Sequence, residues 1–426
     1  MIFGLYRILG TVVHVLLVVV TPLLKLVVPG WEIEQRLGRF PEIDRDEHST
    51  IIWIHAASIG EVQAARALIA ALVDLQCGCR FVLTTMTRQG REVASSQLEA
   101  DVCCGLAPLD TPKAVAKALQ IVRPDMYICL ETELWPMMLT RTRQAGIPML
   151  LLNGRMSERS CTQYLRIRKT MAELLSGFAG FGVIREQDGK RYCMLGAAGS
   201  RIRVCGNMKY DLQVQKPQQI KAEYRQILNL ENETVFICGS TRSGEEKLLL
   251  PVYKRLQDTA AAGLIWIIAP RHLERLPEVR TLLDSAGLEY DLLSGCFTQG
   301  RKKNIVLVDS MGELSKLYSV GDYSFCGGSL VDKGGHNIME PVRWQKPVYF
   351  GPFMKDFQDA VELVLSSGAG FQVKDADNLA DAITALMEDP RLYQKACRSA
   401  EELARSQQGS VRRQADMVMQ LINDSG

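Results

Sequence analysis

The feature that most constrains this chain is a rhythm. Short apolar runs alternate with segments of helical period, and the pattern stops once and restarts. Ile51-Ile52-Trp53-Ile54, Phe81-Val82-Leu83, Met126-Tyr127-Ile128-Cys129-Leu130 and Pro148-Met149-Leu150-Leu151-Leu152 read as strands. Between the first two, Val62, Ala65, Leu68, Ile69 and Leu72 recur at helical spacing within Glu61 to Leu75. After a polar break at Gln213 to Gln219 the strands resume at Val235–Cys238, Leu264–Ile268, Ile305–Val308, Tyr323–Cys326 and Val348–Phe350. Each half begins with a strand and is too short for a barrel. The expectation is therefore an α/β chain of two Rossmann-like domains facing each other across a cleft, with ligands at the carboxyl ends of both parallel sheets. The expected boundaries are 1–29 for an N-terminal segment, 30–212 for the first domain and 213–426 for the second. The helix-rich tail from about Asn378 is expected to pack on the second domain and to cross back to the first.

With 426 residues, nearly half of them apolar, the chain can bury two ordinary cores, and disordered or fibrous classes are excluded. A formal charge of +2 gives no field that argues for nucleic acid, so an anionic partner must meet a local basic patch. The twelve cysteines are scattered without paired CxxC motifs. Cys77, Cys79, Cys103 and Cys104 beside strand-like runs read as reduced structural thiols, which suits the cytosol. Ile8 to Leu24 is almost all aliphatic between Arg7 and Lys25, close to the minimum of roughly 17 residues that cross a bilayer. No small-x-small cleavage site follows, and Trp31, Arg36 and Arg39 are interface-type residues. A retained anchor is expected, spanning the membrane or lying in its interface, with His14 near that interface or against protein.

Candidate chemistry collects where strands end. In HAASIGE, Ser58 and Gly60 make a tight loop after the first strand, and Glu61 opens a helix whose N-terminus favours its ionised form. A proton acceptor and a plain helix cap are equal readings of Glu61. ETELWP repeats the placement with Glu131 and Glu133, where paired carboxylates could hold an acceptor hydroxyl or make a cap and a salt bridge. In CGGSLVDKGGHNIMEP, Gly327, Gly328, Gly334, Gly335 and Asn337 lead into a helix with Glu340. Glycines there would let backbone N–H groups approach a phosphate, and Glu340 would accept from ribose hydroxyls. His336 reads as a capping or core residue. Lys209 in GNMKYD, Ser240 and Arg242 in GSTRSGEE, and Arg271 and His272 in APRH are cationic or polar groups that could hold a phosphate without metal, or form surface ion pairs. MGEL, Met311, Gly312, Glu313 and Leu314, offers N–H groups at another helix start. Of two Asp-x-Asp pairs, Asp44/Asp46 lies in a polar lead-in and Asp375/Asp377 precedes a late helix, where capping is the simpler role. No catalytic metal is expected. Arg155, Arg159, Arg166, Arg168 and Lys169, interleaved with Met156, Tyr164, Leu165 and Ile167, would form either a basic, partly apolar surface for a phosphorylated lipid or a solvated helix face.

HAASIGE, TTMTRQG, ETELWP, NGRMSERS, GNMKYD, PRH, MGEL and GGHNIMEP stand in the order in which the bacterial Kdo (3-deoxy-D-manno-octulosonic acid) transferases carry them, and the chain resembles that family over nearly its whole length. The resemblance implies a GT-B glycosyltransferase fold, CMP-Kdo as donor and the lipid A precursor as acceptor. It also implies metal-independent displacement with inversion and a place at the cytoplasmic face of the bacterial inner membrane, in lipopolysaccharide synthesis. Glu61 matches the general base. Glu131, Glu133, Arg88 and Arg155 match the acceptor and sugar side. Lys209, Ser240, Arg242, Arg271, His272, Met311, Gly312, Glu313, Asn337 and Glu340 match the CMP side. A nucleotide-sugar epimerase on the same scaffold and a membrane-tethered nucleotide or lipid binder are the competing readings.

Overall fold

The structure is a computed structural model that describes residues 2–27, 32–40, 43, 49–98, 102–211 and 216–425. Trp31, Asp44 and Asp46, and Gln213 to Gln215 of the polar break, lie outside the described residues. The chain divides into two compact units, Met1–Asp211 with Gly409–Gly426, and Leu212–Gln408.

The first unit is built on seven strands: β1 (Thr50–His55), β2 (Cys79–Thr85), β3 (Val102–Leu106), β4 (Met126–Leu130), β5 (Met149–Gly154), β6 (Phe178–Val183) and β7 (Ile202–Val204). They pair in the order β3-β2-β1-β4-β5-β6-β7, all parallel. The central strands are apolar on both faces because helices cover both. Trp53, Tyr127, Leu151 and Phe181 turn to one core, while Ile52, Ile54, Ile128 and Leu150 turn to the other. Successive strands leave β1 in opposite directions along the sheet, so the β1/β4 boundary is a topological switch point, where the loops diverge and leave a crevice.

The second unit repeats the plan with β8 (Thr234–Thr241), β9 (Leu264–Pro270), β10 (Asp291–Leu292), β11 (Ile305–Leu307), β12 (Tyr323–Cys326), β13 (Val348–Phe350) and β14 (Gly370–Gln372). Their order is β10-β11-β9-β8-β12-β13-β14, again all parallel, and the switch point falls between β8 and β12. Two parallel seven-stranded sheets, each flanked by helices, make this an α/β chain of the GT-B type.

The last helix, Ser410–Ser425, belongs to the first unit. Ala415, Met417 and Val418 enter its core, and buried Gln414 accepts from the Asn153 N–H (2.5 Å) and donates to the Gly206 carbonyl (3.2 Å). The Asp211 carboxylate accepts from the Gly409 and Val411 N–H groups, which fixes the return of the chain. The first helix, Ile2–Val27, is long and apolar enough to cross a membrane. Its exposed face carries Leu5, Val19 and Leu26, whereas Tyr6 donates to Asp110 (2.8 Å) and His14 lies 3.1 Å from the Thr111 hydroxyl. His14 is thus packed against protein.

Candidate active site

At the first switch point, β1 ends at His55 and the helix Ile59–Asp74 begins with Ser58 as its N-cap. Ser58 and Glu61 form a reciprocal cap: the Glu61 N–H donates to Ser58 Oγ (3.3 Å), and the Glu61 carboxylate accepts from the Ala57 N–H and the Ser58 hydroxyl, both at 2.8 Å. Glu61 is therefore a cap, yet also a buried titratable group, 5% exposed. Burial, followed by the charge of Glu131, pushes its carboxyl up to about 7 against the pull of its two hydrogen-bond donors. Desolvation and a like charge thus outweigh the N–H groups that favour the ionised form.

Glu131 follows β4 in a left-handed backbone conformation, φ 53°, and its Oε1 pairs with Lys209 Nζ at 2.5 Å. Lys209 thus sits in the first unit beside the Glu61 helix, and a Cβ on Gly60 would come 3.1 Å from its Nζ. Glu133 accepts from Trp135 Nε1 (2.8 Å), and burial raises its pKa. His55 was missed as a sequence candidate. It is buried, with a pKa lowered to about 4 by desolvation, and its Nδ1 lies 3.1 Å from the Thr84 hydroxyl. Its Nε2 lies 3.9 Å from Glu133 Oε2 and lines a largely apolar cavity with Trp53, Met86, Tyr127, Trp135 and Met138. Its place in HAASIGE was the available signal.

Arg88 is not gathered with these groups; it is exposed and pairs with Glu92 one turn along its helix (2.8 Å). Arg155 is half-buried after β5, and its carbonyl accepts from the Thr132 hydroxyl. In the basic stretch the charged residues face solvent and the apolar ones turn partly or wholly inward. Arg159, Arg166, Arg168 and Lys169 are exposed, but Met156 is buried and Tyr164, Leu165 and Ile167 pack on the core.

At the second switch point, Ser240 (φ 56°) lies at the end of β8 and Arg242 follows it, and Gly327 and Gly328 (φ 69°) follow β12. The guanidinium of Arg242 donates through Nε to His336 Nε2 (3.2 Å) and lies 2.5 Å from His272 Nε2 through Nη1. Desolvation, then the charges of Arg271 and Arg242, lower His336 to about 4, so its neutral ring can accept. Arg271 and His272 are exposed after β9, and the Arg271 N–H donates to the Thr241 carbonyl (3.0 Å). Glu340 lies in the short helix Met339–Val342; burial raises its pKa against the nearby Arg343 and Arg271. Asn337 Oδ1 accepts from the Met339 N–H (3.0 Å). Met311 and Gly312 are exposed, and Glu313 accepts from the Tyr224 hydroxyl.

The glycine loop differs from the expected phosphate cradle at three of its glycines: Gly327 donates to the Gly239 carbonyl, Gly335 to the Gly328 carbonyl, and Gly328, with Ser329 and Leu330, donates to the buried carboxylate of Glu245. Glu245 and Glu246, inside GSTRSGEE, were not singled out from sequence, because acidic residues at a helix start are common and their partners lie far along the chain. Asp375 accepts from the Asn378 N–H as a helix cap. No cluster of three or more His, Cys, Asp or Glu side chains suited to a metal occurs among the described residues.

Residues 32–212 match the family model of 3-deoxy-D-manno-octulosonic-acid transferase (kdotransferase). A 3-deoxy-D-manno-octulosonic acid transferase of Haemophilus influenzae is 30% identical over 371 residues, covering 86% of this chain and 86% of that protein. A bifunctional glycosyltransferase/methyltransferase of Fusobacterium nucleatum is 33% identical over 362 residues, 83% of this chain but only 55% of that longer protein. Among solved structures, UDP-GlcNAc 2-epimerase of Neisseria meningitidis bound to UDP-GlcNAc superposes with a TM-score of 0.55 at 13% identity, covering 87% of this chain and all of that one, a likeness of fold.

Proposed function

Because this chain belongs to the 3-deoxy-D-manno-octulosonic acid (Kdo) transferase family, we propose that it transfers Kdo from CMP-Kdo to the 6'-hydroxyl of the lipid A precursor in lipopolysaccharide synthesis. The observation that carries the chemistry is Glu61, a buried carboxylate at the β1/β4 switch point with a pKa near 7. A base of that strength is about half ionised at neutral pH and still basic enough to accept a hydroxyl proton in the transition state. Its carboxylate removes the acceptor proton as the oxygen bonds to the anomeric carbon of Kdo, and the bond to CMP breaks with inversion. The leaving CMP takes the electron pair and becomes a phosphate monoester dianion. Arg242 and Arg271, with His272, supply positive charge and N–H donors to it, so the reaction proceeds without a metal. Lys209, already paired to Glu131, holds that carboxylate in place beside Glu61. The apolar face of the helix Ile2–Val27 anchors the protein to the cytoplasmic side of the inner membrane, where the lipid acceptor resides.

The test is a mass-spectrometric assay of the purified full chain with CMP-Kdo and lipid A precursor in detergent containing EDTA. Addition of Kdo units supports donor, acceptor and metal independence together. Product that appears only when magnesium is restored to the transfer step overturns the metal-free mechanism, and absence of product under both conditions overturns the assignment of substrates.

A further inference from the structure

The second unit contains an internal anion where a phosphate was expected. Glu245 is fully buried at the start of the helix Glu245–Thr259. Its Oε2 accepts from the N–H groups of Arg242 (2.9 Å) and Gly328 (2.6 Å), and its Oε1 from those of Ser329 and Leu330, both at 3.0 Å. Successive N–H groups that converge in this way form an anion-binding nest, and here the protein's own carboxylate fills it. We propose that Glu245 is a positioning residue for the nucleotide-sugar donor: it ties the loop carrying Arg242 to the loop leading to His336, Asn337 and Glu340, and so fixes the groups that receive the donor's phosphate. This rests on the reading of the chain as a CMP-sugar-dependent transferase.

Three observations support it. A carboxylate removed from water is costly unless its hydrogen-bonding capacity is met, so four charge-assisted N–H bonds to two loops are a strong clamp. The loops also touch directly: a Cβ on Gly327 would lie 2.5 Å from the Ser240 carbonyl and 2.6 Å from Thr241 Cα. Only glycine allows that approach, and a backbone held at φ 56° in Ser240, a non-glycine residue, needs a fixed partner to persist. The next residue extends the brace. Glu246 accepts from the Thr241 hydroxyl (2.6 Å) and from both terminal nitrogens of Arg275 (2.9 and 2.8 Å). Arg275 and the Arg271 N–H in turn both donate to the Thr241 carbonyl. One helix start therefore organises the loops that carry Arg242, Arg271 and His336. The guanidinium of Arg242 is left facing two imidazoles, His336 and His272, so its charge stays available to an incoming anion.

Glu245→Gln tests the role because it keeps the shape but places an NH2 group where an oxygen accepts two N–H bonds. The expected result is a rise of roughly tenfold or more in KM for CMP-Kdo and a matching loss of CMP affinity by calorimetry, with KM for the lipid acceptor unchanged. A merely structural role would lower the fraction of active protein, hence apparent kcat, and leave both KM values alone; that outcome overturns the proposal. Glu246→Gln, which weakens the outer brace, is expected to move the same KM by less. Amide hydrogen exchange on the unmodified protein gives a reading that needs no variant. Gly328, Ser329 and Leu330 are expected to be protected without nucleotide and equally protected with CMP. Amides that become protected only when CMP is added would mean that the nest receives the ligand, and would overturn the proposal. Failure of the wild-type protein to transfer Kdo would overturn the substrate assignment, and the exchange pattern would still decide the role of Glu245 in the clamp.

Discussion

Replacing Glu61 with Gln separates what the carboxylate does for turnover from what it does to stability. Its pKa rises from 4.5 to about 7 on folding, chiefly through burial and the charge of Glu131. At about 1.36 kcal/mol per pKa unit, ionised Glu61 costs the folded state on the order of 3 kcal/mol. The sign follows from the direction of the shift. A carboxyl whose folded pKa lies above its unfolded value favours folding in its protonated form. That advantage is complete below about pH 4.5 and is lost as pH rises through 7. Gln retains the shape and can still accept from the Ala57 N–H, but carries no charge at any pH. Glu61→Gln should therefore match the wild type near pH 4.5 and exceed it in thermal stability above pH 7, by several degrees for a unit of this size. Turnover should fall by roughly 100-fold to 10,000-fold, as for loss of a general base, while donor and acceptor still bind. Wild-type activity at limiting substrate should rise with pH and level off above an inflection near 7. The assays are thermal unfolding from pH 4.5 to 8.5 and initial-rate kinetics over the same range. A stability difference that does not grow with pH would refute the buried-charge argument, and turnover within tenfold of wild type would refute the base.

Gly60→Ala should slow the enzyme without unfolding it: the new Cβ would lie 3.1 Å from Lys209 Nζ and disturb its pairing with Glu131, while alanine in a helix favours folding by up to about 1 kcal/mol. A lowered kcat/KM with an unchanged or raised melting temperature is the expected pair of results, and unchanged kinetics would show that Lys209 does not need this position. Gln414→Ala should destabilise the first unit by roughly 1–3 kcal/mol, because the buried Asn153 N–H and Gly206 carbonyl would lose their partner. Urea unfolding should show a lower midpoint at a constant slope; an unaltered midpoint would mean that the returning helix adds little to that unit.

The strands that sequence made visible are the ones whose burial is continuous. Trp53, Ile128, Leu151, Ile267 and Tyr349 sit in runs that are wholly apolar because helices cover both faces of the sheets. β6, with Gly180 and Gly182 in Phe178–Val183, was hidden by its composition. Its glycines exist because Leu150, Leu152 and Met417 press against that strand, a tertiary fact that no local pattern carries. β7, β10 and β14 are three residues or fewer and fall below any periodicity. The site was legible where a carboxylate or a cation follows a strand, as with Glu61, Glu131 and Arg242. It was not legible where a group's partner comes from far along the chain. Lys209 meets Glu131 across 78 positions, a difference of 209 and 131, and Glu245 meets Leu330 across 85. The glycine loop looked like a phosphate cradle because sequence records which amides can converge, not which acid reaches them first.

On the proposed mechanism the two switch points need opposite charge arrangements. Three carboxylates, Glu61, Glu131 and Glu133, crowd the first, and Lys209, beside the Glu61 helix, is paired to Glu131. An unpaired arginine there would pull Glu61 back toward 4.5 and make it too weak to take a hydroxyl proton. The second holds Arg242 and Arg271 beside His272; there Glu245, fully buried, is held by backbone amides rather than by those guanidinium groups, while Glu340 lies near Arg271. A carboxylate paired directly to Arg242 would cancel the charge that a departing phosphate dianion needs. Base strengthening needs burial among like charges, and leaving-group stabilisation needs uncompensated cations, so within one shell each would undo the other. The proposed transfer therefore assigns base strengthening and leaving-group stabilisation to different sheets, each of which sets the charge around its own strand ends.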